Sequence, residues 1–432
     1  MNIPNFNDIK IKDYIPKKAK LENGLPIYSF NNSDMEMVFM KFVFFNAGTI
    51  NQKKFFTASL TKTQLAQDTK DLPFEELSEQ MDYYGIDLAQ TTSNERTILN
   101  FSFLKRFQKE AIKLIEQIVL YPLFSQDKLN ITINNCKQDF QAKCSQTSFL
   151  AHRDFMSNLF GKDSPYGKYA KIEDYDKVQS KDLMDFYRKH YSCNQCYIIL
   201  SGNVDNEFIA LVNSAFGINN WNMQYSQNKN KQPDYHNNQA EYFNNQTEKL
   251  RIVNLPSAVQ ASICMGKFLP DIHSKDYIPL TVLNCLFGGY FNSRLMSNIR
   301  EDKGYTYGIN SFIAPYKLGS IFMIVSDVTS GKDTATIDEI KKEIIKLQEE
   351  EVFLQELNRV KHYLTGEMLR NNDGVIDISE TYDSFIRFNL PDDYNSKSME
   401  IVRNMTPNDI ETLANKYLNT DNFTISIAKN ND

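Results

Sequence analysis

Residues 295–312 read LMSNIREDKGYTYGINSF, a short amphipathic helix, then a glycine, then a strand-like run. Leu295 and Ile299 form an apolar i,i+4 pair, the spacing that puts two side chains on one helix face. Gly304 lets the backbone reverse, because glycine alone enters the left-handed region without steric cost. Arg300 and Tyr307 stand seven residues apart across this hinge, so both can point into one cleft. Taken residue by residue, the blander assignment is that Arg300 caps a helix C-terminus and Tyr307 packs on a strand.

The same pattern occurs earlier in the chain. LSEQMDYYGIDLAQTT, from Leu77, again places an apolar i,i+4 pair (Leu77, Met81) before a glycine and a strand. VQSKDLMDFYRKHYSCNQCYIILSG, from Val178, matches MTPNDIETLANKYLNTDNFTISIAK, from Met405, at an offset of 227 residues. Each reads as a capped helix, a polar turn and an apolar strand. Ser180 is the expected N-cap of the first; Thr406, with Pro407 at the first helical position, caps the second. FSQDKLN from Phe124 and FLQELN from Phe353 each open a long polar helix. Three echoes in one order predict a duplication. Met37–Gly48 and Arg96–Leu104 read as strands; Lys109–Leu120 and Ile337–Leu369 read as helices. With no regular βαβ rhythm, the expected class is α+β: two similar duplicated domains, each a mainly antiparallel sheet with helices packed on one face. The domains are expected at 1–225 and 247–432. Between them lies a linker at 226–246, within a polar, Asn- and Gln-rich stretch spanning 222–249.

Composition narrows the function. The 432 residues are 41% hydrophobic and 24% charged, ordinary for a globular protein with large cores. A net charge of −6 argues against nucleic acid as a partner, since a phosphate-binding surface needs a basic excess. No apolar run is long enough to span a membrane, and the first residues lack the apolar segment of a signal peptide. A cytoplasmic location is expected, or a periplasmic one if a leader has been removed. Six cysteines are too sparse for a disulfide scaffold. Cys193 and Cys196 form a CxxC that runs into an apolar strand, with no second pair, and read as incidental thiols. No G-x-S-x-G elbow or Cys–His signature supports a self-sufficient hydrolase.

Three stretches, VFFNAGT, LFGKDSPYGKYAKIEDYDKVQSKDLMDFYRKHY and above all LNCLFGGYFNSRLMSNIREDKGYTYGINSF, resemble the pitrilysin/insulinase family of zinc peptidases. That family includes the mitochondrial processing peptidases and bacterial two-subunit members. The resemblance implies two similar α+β domains that enclose a chamber with a partner pair. Catalytic family members carry H-x-x-E-H on a first-domain helix. Two histidines at i and i+4 bind the metal from one helix face, and the glutamate acts as general base. Here the matching segment, SLTKTQLAQDT, puts Ser59, Lys62 and Thr63 at those positions. Neither histidine is present, and a lysine charge opposes a dication. His152, His190, His236, His273 and His362 are scattered, and Asp139 is the one carboxylate where the distal ligand should fall. No zinc is therefore expected in this chain.

The second-half signature is complete. The resemblance implies that Arg300 and Tyr307 reach a zinc-bearing domain's active site, hold the peptide and polarise its scissile carbonyl. Gly288 and Gly289 are implied to loosen the preceding loop and to belong with the substrate-binding set; Tyr305 is given no role. The expected function is a non-catalytic subunit of a heterodimeric zinc metalloendopeptidase that degrades peptides. It would be active only beside a homologous subunit with an H-x-x-E-H motif, which would hold the zinc. Unfolded peptides would bind as an added strand on a sheet edge, and homodimers are possible. The rival is a structural or peptide-binding scaffold, as in the core subunits of the respiratory cytochrome complex, which resemble the same family. A scaffold has no need of the Arg–Tyr pair.

Overall fold

A computed structural model describes residues 9–225 and 248–431, so the linker expected at 226–246 lies outside the described residues. The first half builds a sheet from β1 (Lys17–Lys20), β2 (Pro26–Asn31), β3 (Met37–Phe44), β5 (Asp87–Thr92), β6 (Thr97–Leu104) and β8 (Cys196–Gly202). Two further short strands, β4 (Asp68–Thr69) and β7 (Pro122–Leu123), pair separately. The second half builds its sheet from β9 (Leu250–Asn254), β10 (Gln260–Leu269), β11 (Thr306–Tyr316), β12 (Gly319–Thr329) and β13 (Thr424–Lys429).

The duplication is explicit in the strand order. The first sheet runs β1-β2-β8-β3-β6-β5 and the second runs β11-β12-β10-β13-β9. With β1 set aside and one sheet read backwards, the two orders correspond strand for strand. In each, the pair at one end is parallel (β2 with β8, β9 with β13) and the remaining pairs are antiparallel.

The helices follow the same logic. The first half has α1 (Thr57–Gln64), α2 (Phe74–Tyr84), α3 (Gln108–Leu120), α4 (Gln126–Cys144), α5 (Thr147–Phe160), α6 (Ser180–His190) and α7 (Asn206–Phe216). The second has α8 (Tyr277–Asn284), α9 (Asp333–Glu349), α10 (Leu354–Arg370), α11 (Val375–Phe388), α12 (Tyr394–Asn404) and α13 (Pro407–Tyr417). On β6 burial alternates, with Leu99, Phe101 and Phe103 turned into the core. They meet Ala111, Ile115 and Ile118 of α3, spaced three and four apart. Each large apolar side chain buried in this way contributes about 1.5–3 kcal/mol.

Two local expectations are corrected. Ser180 is the first helical residue rather than the cap; Gln179 holds that place, and its backbone N–H donates to the Asp182 carboxylate at 2.8 Å. A charged acceptor in the first turn outcompetes a hydroxyl there. Thr406 does cap α13, accepting from Asp409 N at 3.3 Å with Pro407 behind it. The helix expected over Ile337–Leu369 is two helices, α9 and α10. Three consecutive glutamates, 349–351, oppose the helix dipole at that point, and Val352 turns into the core.

Each half packs its own helices against one face of its sheet, as expected, but the opposite face is covered by the other half. From the first half, α5 places Phe155, Leu159 and Phe160 against Cys264, Ile321 and Met323 of the second sheet. From the second, α11 places Ile378, Tyr382 and Phe385 against Phe30, Val43 and Ile199 of the first sheet. Polar pairs fix both crossings. Tyr197 donates to Asp383 at 2.6 Å and Arg96 pairs with Asp383 at 2.8 Å; Ser426 donates to Asp154 at 2.7 Å. Glu95, 2% exposed, joins four segments: its carboxylate accepts from Tyr166 Oη (2.8 Å), Lys317 N (2.9 Å) and Arg387 Nη2 (2.8 Å).

Candidate functional site

Residues 296–302 form a π-helical segment whose Met296 and Ile299 are buried in the second-half core. Arg294 ties its start to Glu356 of α10 through two bonds of 2.8 and 2.9 Å. Asn298 donates to Glu343 of α9 at 2.7 Å. The segment closes where Tyr305 N donates to Ile299 O at 3.1 Å, and Gly304 makes the reversal at φ +64°. Tyr305 itself packs on the core, with Lys332 Nζ 5.1 Å over its ring.

The chain then enters β11 through an irregularity between Thr306 and Ile309, anchored by Thr306 Oγ1 donating to Asp327 O at 2.6 Å. A bulge of this kind re-aims a side chain. Tyr307 is 100% exposed, so it does not pack on the strand, contrary to the blander assignment. The Arg300 guanidinium lies 4.8 Å over the exposed Phe291 ring and, among the described residues, pairs with no carboxylate. Arg300 and Tyr307 line one open cleft of about 700 Å³, together with Gln260, Glu301 and Asp327. The last of these was invisible in the sequence, because only the pairing of β11 with β12 brings it there.

Gly288 and Gly289 are not among the residues that line this cleft. A Cβ on Gly288 would stand 2.6 Å from Ser311 Oγ, and one on Gly289 would stand 2.8 Å from Asn284 Nδ2. Gly288 permits close approach to β11 and Gly289 close approach to Asn284 at the end of α8, rather than loosening a loop.

On α1 two of the three positions of the degenerate motif, Ser59 and Thr63, are occupied by bonds to their own helix. Ser59 Oγ donates to Phe56 O at 3.0 Å, and Thr63 Oγ1 donates to Ser59 O at 3.1 Å. Lys62 is half-buried, and burial lowers its pKa, with Cys136 opposing. Phe56 stacks on Tyr175 at 3.6 Å, and Phe140 meets both rings edge-on, closing the α4 side of α1 with aromatic carbon. Asp139 faces solvent. Hydroxyls turned onto their own helix and an ammonium group are not a ligand set for a dication, so these residues do not fit zinc.

The histidines divide between packing and surface. His190 is buried against Phe186 at 4.4 Å, and burial, helped by Lys189, lowers its pKa to about 4. His152 is exposed at the surface. His362 Nδ1 lies 2.6 Å from Asn358 O, and His236 lies outside the described residues. Cys193 and Cys196 are buried free thiols whose pKa values burial raises, which leaves them protonated and unreactive.

Comparison with known proteins agrees with the kinship read in the sequence. Residues 177–364 match the family described as the peptidase M16 inactive domain. A Rickettsia felis protein named an uncharacterized zinc protease is 23% identical over 410 residues, 93% of this chain and 95% of its own. The Helicobacter pylori non-peptidase homolog YmxG is 24% identical over 415 residues, 94% of this chain and 92% of its own. Among solved structures, a peptidase M16 inactive domain from Pseudomonas fluorescens superposes with a TM-score of 0.82 at 21% identity, covering 96% of this chain and 98% of that one. A Helicobacter pylori protease superposes at 0.83 and 16% identity, covering 96% and 100%. The fold is that of these solved structures, and residues 177–364 resemble the peptidase M16 inactive domain. Among the described residues no helix is long and apolar enough to cross a membrane.

Proposed function

From this M16 kinship we propose that the chain is the zinc-lacking subunit of a two-subunit metallopeptidase and supplies Arg300 and Tyr307 to its partner's site. The observation that carries the reading is the pairing of a fully exposed Tyr307 with Arg300 in one cleft, in a chain whose α1 lacks metal ligands. A solvent-facing strand tyrosine contributes nothing to the core, so its use lies in what it meets. Zinc bound in an H-x-x-E-H partner would supply the activated water. In this chain Tyr307 would donate its phenolic proton as a hydrogen bond to the carbonyl oxygen as negative charge develops there. Arg300 would hold the same oxygen or the peptide backbone; both are fixed donors where partner and peptide exclude water. Unfolded peptides are the proposed substrates, and the cytoplasm the proposed location.

The test is co-expression with a homologue that carries H-x-x-E-H, followed by sizing, metal analysis and peptide cleavage. Joint elution, zinc in the partner alone and activity above that of the partner support the reading. A chain that stays apart and leaves the partner's activity unchanged refutes it. A complex whose activity ignores both residues supports the scaffold instead.

A further inference from the structure

A second cleft, of about 460 Å³, opens beside α1 in the first half, within the size range of small-ligand sites. Its walls come from the segment before α1, from Asn94 in the β5–β6 turn, and from residues 165–170. The walls are braced. Thr49 N and Ile50 N donate to Ser93 O and Asn94 O at 3.0 Å, and Thr49 Oγ1 donates to Asn94 Oδ1 at 3.1 Å. The Tyr166 hydroxyl on the cleft wall is held by Glu95, whose charge Arg387 neutralises. The cleft therefore exists before any ligand arrives.

Its lining is one-sided in charge. Lys53 and Lys168 line it, and no aspartate or glutamate does, in a protein of net charge −6. Neighbouring lysines are paired: Lys54 with Asp182 at 2.7 Å, Lys177 with Asp174 at 2.7 Å, and Lys137 with Asp176. Lys53 and Lys168 have no carboxylate partner among the described residues. The lining also carries the apolar groups of Phe55, Phe56, Ile50 and Pro165, alongside the polar Thr49, Gln52, Ser59 and Asn94. Two lysine charges beside aromatic carbon suit an anionic group carried on a hydrophobic side chain, since the ammonium groups take the charge and the rings take the apolar part.

We propose that this cleft binds the C-terminal end of a peptide, with the terminal carboxylate at Lys53 and Lys168 and the last apolar side chain against Phe55 and Phe56. Of the three degenerate motif positions on α1, Ser59 lines this cleft. The assignment goes beyond the Arg300–Tyr307 reading and does not depend on it, since it concerns the chain alone.

The experiment is fluorescence anisotropy with the purified full chain and no partner. The probe is an N-terminally labelled, unstructured peptide ending in phenylalanine, compared with its C-terminal amide. The free acid should bind about five- to tenfold more tightly, a preference that weakens with salt and disappears in Lys53→Gln/Lys168→Gln. Both lysines are exposed, so the double variant should melt like the wild type. Equal binding of acid and amide, or a preference that survives the double variant, overturns the proposal. Displacement of the peptide by inorganic phosphate as readily as by N-acetylphenylalanine also overturns it, because the cleft would then read charge alone.

Discussion

Glu95 is one of the buried carboxylates that join the two halves, and removing it should destabilise their junction more than any surface change. The side chain is 2% exposed and Arg387 is 20% exposed, so the pair is shielded from water. Glu95→Ala leaves the Arg387 guanidinium without its partner and strips the acceptor from Tyr166 Oη and Lys317 N. Breaking one side of a buried pair costs about 3–5 kcal/mol. Glu95→Gln keeps an oxygen for Tyr166 and Lys317 but faces Arg387 without charge, so about 2–3 kcal/mol is expected. In Glu95→Ala/Arg387→Ala the losses should not add, with a coupling of about 2 kcal/mol.

Acid should expose the same pair. Burial alone would raise the Glu95 pKa, but the Arg387 charge and the bonds from Lys317, Arg387 and Tyr166 outweigh it and hold the pKa below the ordinary value. A carboxyl depressed in the folded state contributes stability above its ordinary pKa and loses it as pH falls through the lower folded value. Glu95→Gln should lack that acid-side loss. Urea unfolding followed by the single tryptophan, Trp221, measures the loss, and hydrogen exchange should show α11 and the β11–β12 turn opening first. A Glu95→Ala protein within about 0.5 kcal/mol of wild type, with unchanged exchange in α11, would refute the reasoning, since that is the scatter of ordinary surface changes.

Other outcomes are equally specific. In the reconstituted complex, Tyr307→Phe should lower turnover by about 100- to 1000-fold with assembly and melting unchanged, whereas Arg300→Ala should also raise KM. Steady-state cleavage with sizing checks this, and a wild-type rate from an assembled Tyr307→Phe complex would end the catalytic role. Gly288→Ala should cost about 1–3 kcal/mol, because its Cβ would meet Ser311 Oγ at 2.6 Å and Leu295 Cδ1 at 2.9 Å; thermal melting measures it. His190 should stay neutral until pH falls to about 4. The unfolded chain takes up that proton near pH 6.5, so stability should fall between those values, by roughly 3 kcal/mol at about 1.4 kcal/mol per pH unit. NMR titration of the imidazole tests this, and a midpoint near 6.5 would contradict it. Tag-free protein should hold no stoichiometric zinc at α1; near one zinc per chain, lost on mutating that helix, would overturn the subunit reading.

What the sequence determined by itself was local and repeated. Capping residues, apolar periods and glycine stops recur in one order, and each acts over a single turn or strand. The Val178 and Met405 stretches could therefore be matched by eye, and both fold as a helix running into a central strand, β8 and β13. The Arg300–Gly304–Tyr307 hinge was legible for the same reason: helix spacing and a positive φ are properties of neighbouring residues. The tertiary structure decided everything that depends on which surfaces meet. An apolar helix face states that it will be buried but not against what. Nothing in TSFLAHRDFMSNLF says that α5 crosses to the second sheet, or that α11 returns the exchange. Glu95 stands in the turn between β5 and β6, and only the tertiary structure brings three donors from distant segments to it. The Lys53–Lys168 cleft joins residues more than a hundred positions apart, and Gly288 became a packing residue only once β11 lay against it. Charge, burial and close approach are properties of assembled surfaces, and sequence spacing carries them only where the chain is its own neighbour.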